Sequence, residues 1–104
     1  MSQLPDFYVQ FQKSYPDVWQ AYNQLGATVH NYGPLDDKTR ALVKLGIAIG
    51  SQQEGAVHSH VRKSLEAGAS ADEIRHAVLL AIPTIGFPVM MAALTWVEDV
   101  LSQA

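Results

Sequence analysis

The chain of 104 residues contains no cysteine. That excludes a disulfide framework, a thiol nucleophile and any metal site built on thiolates. Charge is also scarce. Asp, Glu, Lys and Arg make up 16% of the residues, against about a quarter in a typical soluble domain. The seven basic residues form no run or stripe and the net charge is −3, so nucleic acid is not an expected partner. No basic stretch followed by an apolar core opens the chain, so no secretory leader is expected, and a cytoplasmic location fits. The longest apolar tract, Ala77 to Leu94, is interrupted by Pro83, Gly86 and Pro88 and is not expected to span a membrane. Strand-like alternation is missing too. So are a glycine-rich phosphate loop, a nucleophilic serine elbow and a dinucleotide fingerprint.

What the chain has in quantity is apolar residues, 48% of the total, set at helical intervals. Phe7, Tyr8, Val9 and Phe11 give a short helix over residues 4–13 its apolar content. Pro16 suits the first turn of a second helix, in which Val18, Tyr22, Leu25 and Val29 follow at i, i+4, i+7 and i+11 as far as His30. Asp36 or Asp37 caps a third, which carries Leu42, Leu45 and Ile49 and stops at Gly50 and Ser51. A fourth runs from Gln53 towards Gly68, a residue suited to the left-handed position past a helix end. Ser70 and Glu73 form a capping box for a fifth, which reaches Ile82 and is closed by Pro83. The sixth, Pro88 to Leu101, is apolar almost all round, and a helix apolar on every side is buried on every side. In so small a domain a second subunit is the simplest cover for its outer face. The expectation is one all-α domain over residues 1–104, of about six helices, that self-associates.

The fourth helix holds the candidate site. At about 100° per residue, Val57, Val61 and Leu65 line up as an apolar stripe. Glu54 falls within that arc, with His58 and His60 at its margins. Ser59, Arg62, Lys63 and Glu66 collect on the other side. An acid and two imidazoles turned towards a core or interface need partners, because buried charge is costly unless paired. His76 falls on the solvent side of the fifth helix. His30 sits at a helix end, where a cation interacts favourably with the dipole.

The run DDKTRALVKLGIAIG, a short break, and then QEGAVHSHVRKSLEAGASADEIRHAVLLAIPTIGFP resemble the carboxymuconolactone decarboxylase superfamily, which includes the alkylhydroperoxidase D-like proteins. The resemblance covers Leu35 to Leu101, with residues 1–34 as preceding helices, and is most specific from His60 through Ile74. It implies an alkylhydroperoxidase D-like helical bundle assembled as trimers or hexamers. The alkylhydroperoxidase-like branch carries Cys-x-x-Cys-x-x-x-His on this helix and a glutamate on the preceding one. Here the cysteine positions hold Gln53 and Ala56, the glutamate position falls near Ala41, and His60 alone matches. A thiol–disulfide relay cannot run without thiols, so peroxide reduction is not expected. The decarboxylase branch lacks the cysteine pair, also matches at His60, and works by proton transfer on a carboxylated lactone.

These residues admit three roles. In the first, His60 transfers a proton to a small carboxylated or lactone substrate, Glu54 or His58 orients it or relays the proton, Arg40 or Lys44 receives the carboxylate, and no cofactor is needed. In the second, Glu54 and His58, at i and i+4, share a divalent metal ion with His60 or with ligands from a related subunit. His58 and His60 diverge by about 160°, so one helix alone does not bring both to the same ion. In the third, Glu54 and His58 are a structural pair and the chain is a non-catalytic oligomeric binder or scaffold. Thr84 to Phe87 either walls a pocket beside the site helix or packs in the core.

Overall fold

In the computed structural model, which describes residues 6–103, seven helices and no strand occur among the described residues. The chain divides after Pro34 into two compact units.

The first unit holds α1 (Asp6–Ser14) and α2 (Pro16–His30). The helix expected over residues 4–13 ends one residue later than expected, and its expected start at Leu4 lies outside the described residues. Pro16 occupies the first turn of α2, as its missing N–H allows. Aromatic contacts join the two helices: the rings of Tyr8 and Trp19 meet edge to face at 5.4 Å, and Trp19 in turn lies 6.0 Å from Tyr22. Neither helix buries a residue. The apolar stripe of α2 is real, but Val18, Tyr22, Leu25 and Val29 are each 58–64% exposed.

The second unit holds α3 (Asp37–Ser51), α4 (Glu54–Glu66), α5 (Ala71–Leu79), α6 (Ile82–Ile85) and α7 (Phe87–Leu101). Asp36 caps α3, its Oδ1 accepting from the Thr39 N–H at 2.8 Å. Gln52 ends α3 with a left-handed φ of 56°, and Gly68 follows α4 with a φ of 96°. The capping box of α5 is complete. The Glu73 N–H donates to Ser70 Oγ at 3.0 Å, and the Ser70 N–H donates to Glu73 Oε1 at 2.9 Å. α5 stops at Leu79, short of the expected Ile82, and Pro83 lies inside the one-turn α6 instead of closing a helix. The first turn of a helix needs no N–H donor, so proline fits there as well as it fits past a helix end.

The core is shared by four helices. Leu45 and Ile49 of α3, Val57 and Val61 of α4, Ile74 and Val78 of α5, and Ala93 and Val97 of α7 have almost no solvent contact. Burying each of the larger side chains contributes about 1.5–3 kcal/mol. α4 packs between α3 and α7. Two exposed ion pairs tie the outer surfaces: Lys38 to Glu73 at 2.9 Å, and the Arg75 fork to Glu98 at 2.7 and 3.0 Å. Pairs this exposed contribute about 0–1 kcal/mol each, and their main effect is to fix how α3, α5 and α7 are turned. α7 buries Met90, Ala93, Val97, Val100 and Leu101, while Phe87 and Met91 are exposed and Val89, Leu94 and Trp96 half-buried. Among the described residues of its own unit it is therefore covered on one side only.

Candidate functional site

Because α4 has a neighbour on each side, its two central histidines part. His60 is half-buried, and among the described residues its buried Nδ1 has no hydrogen-bond partner. Burial pushes its pKa down from the ordinary histidine value, and the charges of Lys63 and Lys44 push the same way. Lys44, on α3, is itself pushed down by burial and then by Lys63 and Arg40. Arg40 pairs through its Nη2 with Asp37, one turn earlier, and its buried Nε has no partner among the described residues. The turn beneath His60 is held from inside: the fully buried Ser64 donates its hydroxyl to the His60 carbonyl at 2.7 Å. The result is an imidazole disfavoured as a cation, with a free ring nitrogen, in the field of nearby cations. Such a group can meet an anion and exchange a proton with it.

His58 serves the other side of α4. Its Nε2 lies 3.2 Å from Asp99 Oδ2 on α7 and 3.9 Å from Glu54 Oε2. Among the described residues, no hydrogen bond or ion pair links Glu54 or His58 to His60. Glu54 is well exposed, although its angle places it in the apolar arc. It is the first residue of α4, with no preceding turn to cover it. The site residues thus fall into two groups: His60 with Lys44 and Lys63, and Glu54 and His58 with Asp99. Asp99 is invisible in the sequence, since it reaches His58 only through the packing of α7 on α4, 41 positions along the chain. Lys63 reads as a solvated residue and is exposed. Its spacing of i+3 from His60 was the available signal, because such residues are neighbours on a helix. Among the described residues, donor atoms of Glu54, His58 and Asp99 lie within 4.8 Å of one another, and His60 is not part of that cluster.

A groove of about 560 Å³ runs along α3, α5 and α6, lined by Leu42, Gly46, Ala77, Leu80 and Ile85, with Glu73 and His76 among its polar groups. Thr84 and Ile85 do wall a pocket, but no residue of α4 lines it. His76 is exposed, as its helical position implies.

A family model described as the carboxymuconolactone decarboxylase family matches residues 16–99. The chain belongs to that family. As a member of the carboxymuconolactone decarboxylase family it is matched from the first residue of α2, earlier than Leu35, where the resemblance in sequence sets in. An uncharacterized protein of Haemophilus influenzae is 36% identical over 52 residues, covering 50% of this chain and 46% of its own. The chain therefore spans about half the length of that relative. An uncharacterized protein of Methanocaldococcus jannaschii is 27% identical over 88 residues, covering 84% of this chain and 85% of its own. Among solved structures, the apo form of a carboxymuconolactone decarboxylase family protein from Legionella pneumophila superposes with a TM-score of 0.80 at 23% identity, covering 91% of this chain and 85% of that one. A Burkholderia xenovorans structure gives a TM-score of 0.74 at 23% identity, covering 96% and 81%. These likenesses establish the all-α fold and assign no residue a role. In this family member, position 53 is the exposed N-cap of α4, position 56 is a half-buried alanine, and position 41 is a buried alanine. Among the described residues, no helix is long and apolar enough to cross a membrane.

Proposed function

We propose that this chain catalyses a decarboxylation by proton transfer on a small carboxylated substrate, with a carboxylated lactone as the first choice. His60 is the proton-transfer residue. Lys44 and Lys63, with Arg40 behind them, draw in the carboxylate. The observation that carries this is the buried Nδ1 of His60, which has no partner among the described residues and lies near cationic side chains. A buried ring nitrogen left unsatisfied calls for a partner, and in this proposal the substrate is that partner. Family membership supports the substrate class.

In a β,γ-unsaturated acid the bond from the α carbon to the carboxylate breaks, its electron pair forms a new α,β double bond, and the π pair of the old β,γ double bond is displaced to the γ carbon. A bound carboxylate offsets the charges of Lys63 and Lys44 and so favours the imidazolium form of His60; the γ carbon takes its proton, carbon dioxide leaves, and the neutral imidazole is reprotonated from solvent. No electron is gained or lost, so the step balances without a cofactor. His58 faces Glu54 and Asp99 and not His60, so in this proposal Glu54 and His58 have no part in the step. Self-association as a trimer or hexamer belongs to the same proposal, supported by the exposed apolar side chains of α2 and by Val43 and Ile47 on α3.

The test is carbon dioxide release from a panel of carboxylated lactones, with light scattering on the same samples. His60→Gln should lower kcat by about 10²–10⁴-fold, the usual worth of a positioned acid–base group. Lys44→Met should act mainly on KM. A wild-type chain inert across the panel, or a His60→Gln variant with wild-type kcat, overturns the assignment. A monomeric mass overturns the assembly.

A further inference from the structure

We infer that Glu54, His58 and Asp99 form a binding site for a divalent transition-metal ion of the Zn²⁺ class, separate from the His60 site. The three side chains come from two helices whose backbones are fixed by the core. Glu54 and His58 stand one turn apart on α4, and Asp99 stands near the end of α7. Val57 and Val61 on α4 and Val97 and Leu101 on α7 belong to one buried cluster, so neither helix can turn away easily.

The spacing suits a small ion. With metal–ligand bonds of about 2.0–2.1 Å, donors on adjacent corners of a tetrahedron stand about 3.3 Å apart. His58 Nε2 and Asp99 Oδ2 are already at 3.2 Å. Glu54 Oε2 is 3.9 Å from the same nitrogen, and all three donors lie within 4.8 Å of one another. Closing the remaining edges asks for a shift of about an ångström from two exposed carboxylates, which rotate freely on their side-chain bonds.

Charge favours the same occupant. Among the described residues, neither Glu54 nor Asp99 has a lysine or arginine partner, and both turn towards His58. Two carboxylates facing one imidazole bring two negative charges close together, and a dication cancels both. An imidazole in the donor set favours Zn²⁺, Co²⁺ or Fe²⁺ over Mg²⁺ and Ca²⁺, which prefer oxygen alone. Three protein ligands leave at least one position open to water or to a ligand.

The opposing account is a protonated His58 bridging two carboxylates, with no ion. Metal-free chain is titrated with Co²⁺ and Zn²⁺ by calorimetry, following the visible spectrum of Co²⁺, in wild type, Asp99→Asn, His58→Gln and His60→Gln. The expected result is about one ion per chain, with a spectrum of a low-coordinate nitrogen–oxygen site. Asp99→Asn and His58→Gln should each weaken binding by roughly tenfold or more, and His60→Gln should leave it unchanged. Zn²⁺ should raise the melting temperature of wild type but not of Asp99→Asn. Thermal melts of the metal-free variants show that they are folded. If one is not, the other carries the comparison. No saturable binding up to about 1 mM ion, or binding unaffected by both ligand variants, overturns the site.

Discussion

Truncating Leu45 to alanine tests the packing that places Lys44 beside α4. Leu45 has no solvent exposure and is among the largest fully buried side chains. It follows Lys44 on α3 and belongs to the same cluster as Val57, Val61, Ile74 and Val97 from three other helices. Removing three carbons loses about 2.4 kcal/mol of transfer free energy at about 0.8 kcal/mol each. A cavity walled by four packed helices cannot collapse fully, and the remaining void adds to the cost. The total should be about 3–4 kcal/mol, within the usual range for buried leucines. Against a stability of about 5–15 kcal/mol, that lowers the melting temperature by roughly 12–30 °C. The assay is urea unfolding followed by circular dichroism at two protein concentrations, so that any assembly contributes visibly. Leu79→Ala, at a side chain 48% exposed, is the control and should cost about 1 kcal/mol or less. A Leu45→Ala loss below about 1 kcal/mol, or one equal to the Leu79→Ala loss, would refute this account of the core.

Ser70→Ala removes half of the capping box and should cost about 1 kcal/mol by denaturation, with the loss confined to the α5 end by hydrogen exchange. Gln52→Gly relieves a left-handed backbone held by a residue with a side chain, at φ 56°, and should raise the urea midpoint by up to about 1 kcal/mol of stability. The Ser70 N–H and then Lys38 hold the Glu73 carboxyl below its ordinary value of 4.5, and Arg75 does the same for Glu98. Folded values below the unfolded ones mean a contribution present above pH 4.5 and lost as pH falls through the lowered folded values. Lys38→Met should flatten that acid loss in a pH series of urea midpoints, and an unchanged slope would remove Lys38 as a cause.

Local features of the fold were legible where a single residue type answers a single backbone need. Asp36 and Ser70 satisfy open N–H groups at helix starts, and Gly68 takes a positive φ, so each is readable without tertiary structure. Pro83 was ambiguous, because proline suits the first turn of a helix as well as the position after one. Gln52 in the left-handed region carries no sequence signal. The candidate site was half legible. Angular placement separates His58 from His60, and the structure gives each its own neighbours. The same geometry misplaced Glu54, because a helical wheel treats the first residue as though a turn preceded it. Asp99 lay beyond reach, since its role depends on how α7 is rotated against α4.

That rotation is recorded by two consecutive acids. Glu98 turns to Arg75 on α5, and Asp99 turns to His58 on α4. Adding one residue to α7 between Ala93 and Glu98 would swing both by about 100° and leave each facing the wrong helix. This stretch can therefore absorb changes of side chain far more readily than a change of length. Insertions and deletions are expected to be tolerated before Phe87 or after Leu101, where they do not reset the phase of the helix.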